Sequence, residues 1–400
     1  MLDWHQCPAV ERSPGRWRSW GGLAFVLLAA GLTAVARDAV TVSAPLSGNA
    51  SLRHEARHAV EKGRGWLEAR QNTNGWWSSP DHPALTALVV TALMGPTPEK
   101  ALSSNMDKGY AYLLSCAQPD GGIYKEELQS YNTSVVLSAL ALRNRPSDQA
   151  VIQNARRYLI GLQVGDAQLG ETNSPFSGGI GYGGTEKRPD LSNTMLVLEA
   201  LYHSRPARDA NGAKAPDLNW QAALRFVQNC QNLPGSNTQA WASDDPQNKG
   251  GFIYAPGRSN AGKTNLPSGR VALRSYGSMS YAGLLSYIYA DLKSDDPRVI
   301  AAMDWLRGNY TVEENPGMGP QGLYYYYMLM AKALTFAGVD TLETRDGRQI
   351  NWREELTLKL INLQKADGSW ANDNGRWWEK DPVLDTAYVV TAMEIVENKL

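Results

Sequence analysis

Cysteine and histidine are scarce, and each shortage removes a chemistry. The 400 residues hold 3 cysteines and 5 histidines. Cys7 lies in a leader-like segment, while Cys116 and Cys230 each end an expected helix just before a glutamine; two such thiols make no disulfide framework and read as small buried hydrophobes. His54 and His58 stand at i and i+4 on one helix face, a spacing that can bind zinc, yet no third ligand accompanies them and no histidine follows His203. No metal is expected. Charge of one sign is not in excess either: 39 Lys and Arg against 40 Asp and Glu give a formal net charge of -1, which leaves no basic footprint for nucleic acid or an anionic membrane. There is no G-x-S-x-G nucleophile, phosphate-binding loop or Gly-Cys-x-Glu-Gln thioester, so no cofactor is expected.

Long hydrophobic runs are missing apart from one near the N-terminus. Arg12, Arg16 and Arg18 precede an apolar stretch over residues 21–36 that ends Ala34-Val35-Ala36. That charged, apolar, small-residue order is the pattern of a secretory signal, with cleavage expected after Ala36. No twin arginine precedes it, which favours the general secretion route. Residues 37–51 read as a linker, and the mature chain is expected outside the cytoplasm, secreted or periplasmic, with no membrane span. An uncleaved anchor is the alternative reading.

What is present from residue 52 onward is an array. Gln71, Gly75 and Trp77 recur in spacing as Gln364, Gly368 and Trp370, and again as Gln118, Gly122 and Tyr124. Six helix pairs are expected. The first members end near Gln71, Gln118, Gln163, Gln231, Asn309 and Gln364 and are amphipathic, as in Trp352, Leu356, Leu360 and Leu363. The second members start near Thr86, Thr133, Thr194, Ser278, Leu323 and Thr386, and they are apolar nearly all round, which places them inside. Six inner helices wrapped by six outer ones predict an all-α (α/α)6 toroid closed on itself, a single domain over 52–400. Polar inserts at about 164–190 and 232–275 interrupt repeats three and four, and the second of these is the expected cover over one mouth of the ring.

The Q-x3-G-x-W repeat, six-fold and bridging one helix end to the next helix start, resembles the repeat of the squalene cyclase and protein prenyltransferase superfamily. Ser275-Tyr276-Gly277-Ser278-Met279-Ser280-Tyr281 and Gly319-Pro320-Gln321-Gly322-Leu323-Tyr324 further resemble secreted bacterial prenyltransferase/squalene-oxidase-repeat proteins. The resemblance implies a terpenoid-cyclase-type toroid with a central cavity for an isoprenoid. It does not carry over the superfamily's catalytic groups. Where prenyltransferases place a zinc-binding aspartate and, two residues on, a cysteine, this chain has Asp190 and Ser192. The D-x-D-D of squalene-type cyclases is absent, its nearest pieces being Asp244-Asp245, Asp295-Asp296 and the pair Asp381 and Asp385.

The candidate catalytic residues are therefore carboxylates: Asp190 ahead of inner helix three with Glu186 and Arg188 nearby, Asp244 and Asp245 in the second insert, and Asp385. Each has a structural alternative, since Asp190, Asp296 and Asp385 can all cap helices and Asp244-Asp245 can sit in a solvated turn. The candidate ligand-binding residues are tyrosines: Tyr276, Tyr281, Tyr324, Tyr325, Tyr327 and Tyr388, some of which must face the ring axis. They pave a cavity for an isoprenoid or similar extended apolar ligand, or else they pack with hydroxyls tied to loops. A carbohydrate-active toroid of the polysaccharide-lyase kind is the alternative function, with Arg258, Lys263, Arg270 and Arg274 meeting an acidic glycan; a binding scaffold without an active site is the third. Trp76, Trp77, Trp370, Trp377 and Trp378 read as structural plugs of the repeat.

Overall fold

The computed structural model describes residues 49–95, 103–184, 188–205, 216–397 and 399–400. The expected signal segment, most of the linker and Glu186 lie outside these residues. Thirteen α-helices are found among them: α1 (Asn49–Glu68), α2 (Pro83–Met94), α3 (Ser104–Ser115), α4 (Gln129–Arg143), α5 (Gln149–Gly161), α6 (Asp166–Leu169), α7 (Leu191–His203), α8 (Trp220–Gln228), α9 (Gly277–Tyr289), α10 (Pro297–Gly308), α11 (Leu323–Phe336), α12 (Trp352–Leu363) and α13 (Pro382–Glu397). Two short antiparallel hairpins, β1 (Lys263–Asn265) with β2 (Val271–Leu273) and β3 (Leu342–Glu343) with β4 (Gln349–Ile350), decorate the loops. No helix among the described residues is long and apolar enough to cross a membrane.

The fold is an α/α toroid. The inner helices pack in the closed order α2, α4, α7, α9, α11, α13 and back to α2. Their apolar character explains the position: α7, α9, α11 and α13 bury residues on every side, which only a helix surrounded by others can do. The outer helices α3, α5 and α10 pack on the inner helix of the preceding repeat, and α1 packs on α13, which closes the ring. The closing seam also carries ion pairs, Arg57 to Glu397 at 2.7 Å and the more buried Arg64 to Glu394 at 2.6 Å.

The repeat motif is a staple between consecutive outer helices. Gln364 donates from Nε2 to the carbonyls of Gly368 (3.0 Å) and of Ala59 in α1 (2.9 Å). Gln71 reaches Gly75 and Asn105 of α3 in the same way, Gln163 reaches Gly178 and Asn219, and Gln231 reaches Gly250 and Arg298 of α10. The turn glycines Gly75, Gly121, Gly178, Gly250 and Gly368 all hold φ between 91° and 95°, a region that residues with a Cβ avoid. Space demands glycine as well. A Cβ on Gly368 would stand 3.0 Å from the Lys62 carbonyl of α1, and one on Gly121 2.8 Å from the Asn154 carbonyl of α5.

Repeat two departs from the register read from sequence. The turn bond runs from Gly121 N to Gln118 O, as it runs from Gly75 N to Asn72 O and from Gly368 N to Lys365 O. Gln118 therefore stands one place past the staple position, and Ile123 rather than Tyr124 is the plug. Like Trp77 and Trp370, Ile123 presents its N–H to a threonine of the following inner helix, here Thr133 at 2.9 Å. Gln118 bonds only locally, to the Cys116 and Tyr124 carbonyls. Trp77 and Trp370 are fully buried and tie their indole N–H groups to α1 and α12 carbonyls.

Gln364→Ala removes a bond that closes the ring, whereas Gln118→Ala removes only local bonds. The first is expected to destabilise by about 1–3 kcal/mol and the second by less than half as much, measured by urea unfolding. Equal losses would show that the staple does not hold the seam.

Candidate functional site

All six inner helices start at the same mouth of the ring, and there the side chains of four of them meet. Tyr325 on α11 shares a hydrogen bond with Ser192 on α7 (3.2 Å), and its ring lies 5.9 Å from that of Tyr388 on α13. Tyr388 in turn lies close to Tyr131 on α4. Tyr131, Ser192 and Tyr325 remain partly exposed although they sit on buried helices, which marks them as facing the axial lumen. Below them the same faces continue at helical spacing with Val135 on α4, Leu196 on α7, Met328 on α11 and Thr391 on α13. The axial faces are aromatic at the mouth, and one turn beneath it they are apolar except at Thr391.

The other tyrosines singled out in the sequence go elsewhere. Tyr327 donates to the Val312 carbonyl (2.6 Å) and Tyr326 to that of Thr311 (2.8 Å), so both face the outer loops. Tyr276 is buried and receives a hydrogen bond from Asn260 (3.3 Å); Tyr281 packs against Tyr326 at 5.6 Å. Tyr324 lies near Asp385 and Glu379.

The carboxylates also separate. Asp190 caps α7, accepting from Asn193 N (2.9 Å) and Nδ2 (2.7 Å). Its burial pushes its pKa up to about 6 against the opposing hydrogen bonds from Asn193 and Tyr254. Asp244 is exposed, and Asp245 takes its hydrogen bonds from Ser243, Gln247 and Asn248 within its own turn. Asp385 is not a cap. Helix α13 starts four residues earlier than the threonine at 386 suggested, and Asp381 caps it by accepting from Val383 N (2.9 Å).

Asp385 instead forms a buried carboxyl pair with Glu379, a residue the sequence reading missed. Asn372 links them: its N–H donates to Asp385 Oδ2 (2.7 Å) and its Nδ2 to Glu379 Oε2 (2.7 Å). Glu379 Oε1 accepts from Tyr325 N (2.9 Å) and so caps α11, whose own N-cap residue, Gly322, has no side chain. Burial first, and the nearby Glu379 carboxylate second, push the Asp385 pKa up to about 9. Its Oδ1 is buried and receives no hydrogen bond. Asp385 precedes Tyr388 by three residues, on the same face and one turn nearer the mouth. It is thus a carboxylic acid at neutral pH, beside the lumen.

Trp377 and Trp378 are not plugs. They are 44% and 47% exposed, and both adopt left-handed backbone, with φ of 55° and 67°. Trp377 lies over Gly322 at the start of α11, and Trp378 sits 4.5 Å from the His82 ring at the start of α2. Together they form part of the mouth's rim. His54 and His58 are both exposed, Cys116 and Cys230 are free and buried, and no group of three or more potential metal ligands occurs among the described residues. The insert at 232–275 reaches the same mouth: the Tyr254 carbonyl accepts from Leu191 N (2.8 Å) at the start of α7, and Arg258 lies 5.2 Å over the Tyr254 ring.

Comparison with known proteins agrees with this architecture. No family model matches the chain. A curated squalene–hopene cyclase from Bradyrhizobium diazoefficiens is 28% identical over 169 residues, covering 36% of this chain and 25% of that protein; the match thus spans a quarter of the relative's length. Among solved structures, a type II terpene cyclase from Scytonema superposes with a TM-score of 0.53 at 13% identity over 87% of this chain and 99% of that one. A variant of that cyclase in complex with its substrate geranylgeranyl dihydroxybenzoate superposes with a TM-score of 0.50 at 13% identity over 88% and 100%. The fold is that of the terpenoid-cyclase-like toroids.

The Asp385 pKa gives a signed test. Its folded value lies above the ordinary carboxylate value, so the folded state binds the extra proton and stability falls as pH rises through the interval from about 4 to 9. The slope is at most about 1.4 kcal/mol per pH unit for one proton. Asp385→Asn is expected to flatten that decline in thermal unfolding measured across the interval; an unchanged slope would assign the decline to other groups.

Proposed function

We propose that the axial lumen binds an isoprenoid or comparably extended apolar molecule that enters at the tyrosine-lined mouth. The observation that carries this reading is the convergence of the partly exposed Tyr131, Ser192 and Tyr325 and the buried Tyr388 from four inner helices, continued below by the buried Val135, Leu196, Met328 and Thr391. Apolar surface of this kind gains by covering a hydrocarbon chain, and tyrosine faces suit alkenes and developing cations. The fold shared with terpene cyclases supports the reading. Asp385, held protonated beside Tyr388 by its burial first and by the nearby Glu379 second, offers a carboxyl hydrogen-bond donor at the mouth end of such a ligand. We also place the mature protein outside the cytoplasm on the pattern of residues 1–36, expecting an N-terminus at Arg37 in the exported fraction by N-terminal sequencing.

A second reading rests on one feature. Arg258 stacked over Tyr254 is a face that an acidic sugar would fit.

Native mass spectrometry with farnesol and geranylgeraniol separates the two. A bound prenyl alcohol is expected, and Tyr388→Ala should weaken it about tenfold while Arg258→Ala leaves it unchanged. Binding of oligogalacturonate in its place, abolished by Arg258→Ala, would overturn the isoprenoid reading.

A further inference from the structure

The apolar stretches 195–201 of inner helix α7 and 328–334 of inner helix α11 are each broken at one position that faces the axis. Glu199 interrupts Met195-Leu196-Val197-Leu198, and Lys332 interrupts Met328-Leu329-Met330-Ala331. The two side chains meet, Nζ to Oε1 at 2.6 Å, with only 13% and 8% of their surfaces exposed. They belong to helices that are not neighbours in the ring, since α9 packs between α7 and α11. The pair therefore spans the inner side of α9, across the lumen.

Its level is fixed by helix geometry. Lys332 follows Tyr325 by seven residues, and Glu199 follows Ser192 by seven. Both intervals are two helical turns, so the ion pair lies roughly 10.5 Å below the Tyr325–Ser192 contact and parallel to it. Immediately beneath is an aromatic cluster from three helices: Tyr202 lies 5.3 Å and His203 5.7 Å from Tyr289, and Tyr289 lies 6.0 Å from Phe336. Tyr289 also contacts Glu199.

Stability gives no reason for this arrangement. Desolvating two charges inside an apolar ring costs about as much as their attraction returns, and hydrophobic residues of the same volume would serve as well or better. A pair of long, mutually anchored side chains does provide a bar at a defined depth. We infer that Lys332 and Glu199 form the floor of the ligand chamber and set the length of apolar chain it accepts. The inference rests on the reading that the lumen holds an isoprenoid chain, and it makes these two residues determinants of chain length. The depth from the tyrosines to the floor corresponds to about two isoprene units of an extended chain.

Competition binding of geraniol, farnesol and geranylgeraniol to the full chain, read by native mass spectrometry, tests the floor. Removing both side chains together, Lys332→Ala with Glu199→Ala, leaves no unpaired buried charge and deepens the chamber by about one turn, to the aromatic cluster. The preference for geranylgeraniol over geraniol should rise about tenfold or more relative to the unmodified protein. Lys332→Met with Glu199→Gln keeps the volume and should keep the original preference. Leu196→Phe, above the floor, should shift preference toward geraniol, and it carries the test if the double alanine variant fails to fold. An unmodified protein that binds these alcohols while every variant keeps its length profile overturns the floor and leaves the isoprenoid reading standing. No binding of any of the three alcohols overturns both.

Discussion

The structure depends on a glycine that lies against a carbonyl of the next outer helix. In five repeats that glycine holds φ near 93° and leaves no room for a side chain between the turn and the neighbouring helix. Close approach then allows the glutamine staple, which crosses from the end of one outer helix into the next. Repeat two shows which of the two is primary. There the staple is lost, because Gln118 stands one place too far along, yet Gly121 keeps both its conformation and its place on the Asn154 carbonyl. The steric requirement persists without the hydrogen bond. Iterated round the ring, it brings α1 onto α13 and makes the toroid close.

Closure has an electrostatic consequence. Six inner helices with their N-termini at one mouth aim six positive dipole ends and their unpaired N–H groups at the same rim. Those groups are met by side chains from loops and neighbouring helices: Asn132 Oδ1 accepts from Ala84 N at α2, Asp190 from Asn193 N at α7, Asn315 Oδ1 from Ser278 N at α9, and Glu379 from Tyr325 N at α11. Carboxylates thus collect at the mouth because helix ends attract them. Glu379 has three N–H groups of α11 near it that oppose the effect of its burial. Asp385, already inside the first turn of α13 with one oxygen unbonded, has less compensation and faces Glu379, so the second charge is the one suppressed.

The ring was legible in the sequence because its two signals are periodic and local. Apolar residues on every side of six segments mark inner helices, and a glutamine-to-glycine spacing marks the staple. The turn position in repeat two was not legible, since Gly121 and Gly122 offer two registers and only the position of the Asn154 carbonyl selects between them. Tyrosine direction was lost for a similar reason. Four consecutive tyrosines, Tyr324 to Tyr327, cover all sides of a helix, and packing alone decides that Tyr325 faces the axis while Tyr326 and Tyr327 reach outer-loop carbonyls. Glu199 and Lys332 had a signal that went unused: a lone charge in a helix otherwise too apolar to meet water. Glu379 had none, because its partner Asp385 and the N-terminus it caps become neighbours only through the fold.

The rim loop carries strain that the ring does not need. Left-handed backbone at a bulky residue costs about 1–2 kcal/mol, and Trp377 and Trp378 adopt it in succession while leaving their indoles exposed. What offsets that cost is the anchoring on either side. Asn372 binds Asp385 and the Pro320 carbonyl before the tryptophans, and Glu379 binds Asn372 and the start of α11 after them. The anchors are the same groups that surround the protonated carboxyl. Seating the loop buries Asp385 and brings Glu379 beside it, the two causes of its raised pKa, so the contact that orients the tryptophans at the mouth also sets the charge state of the acid below them.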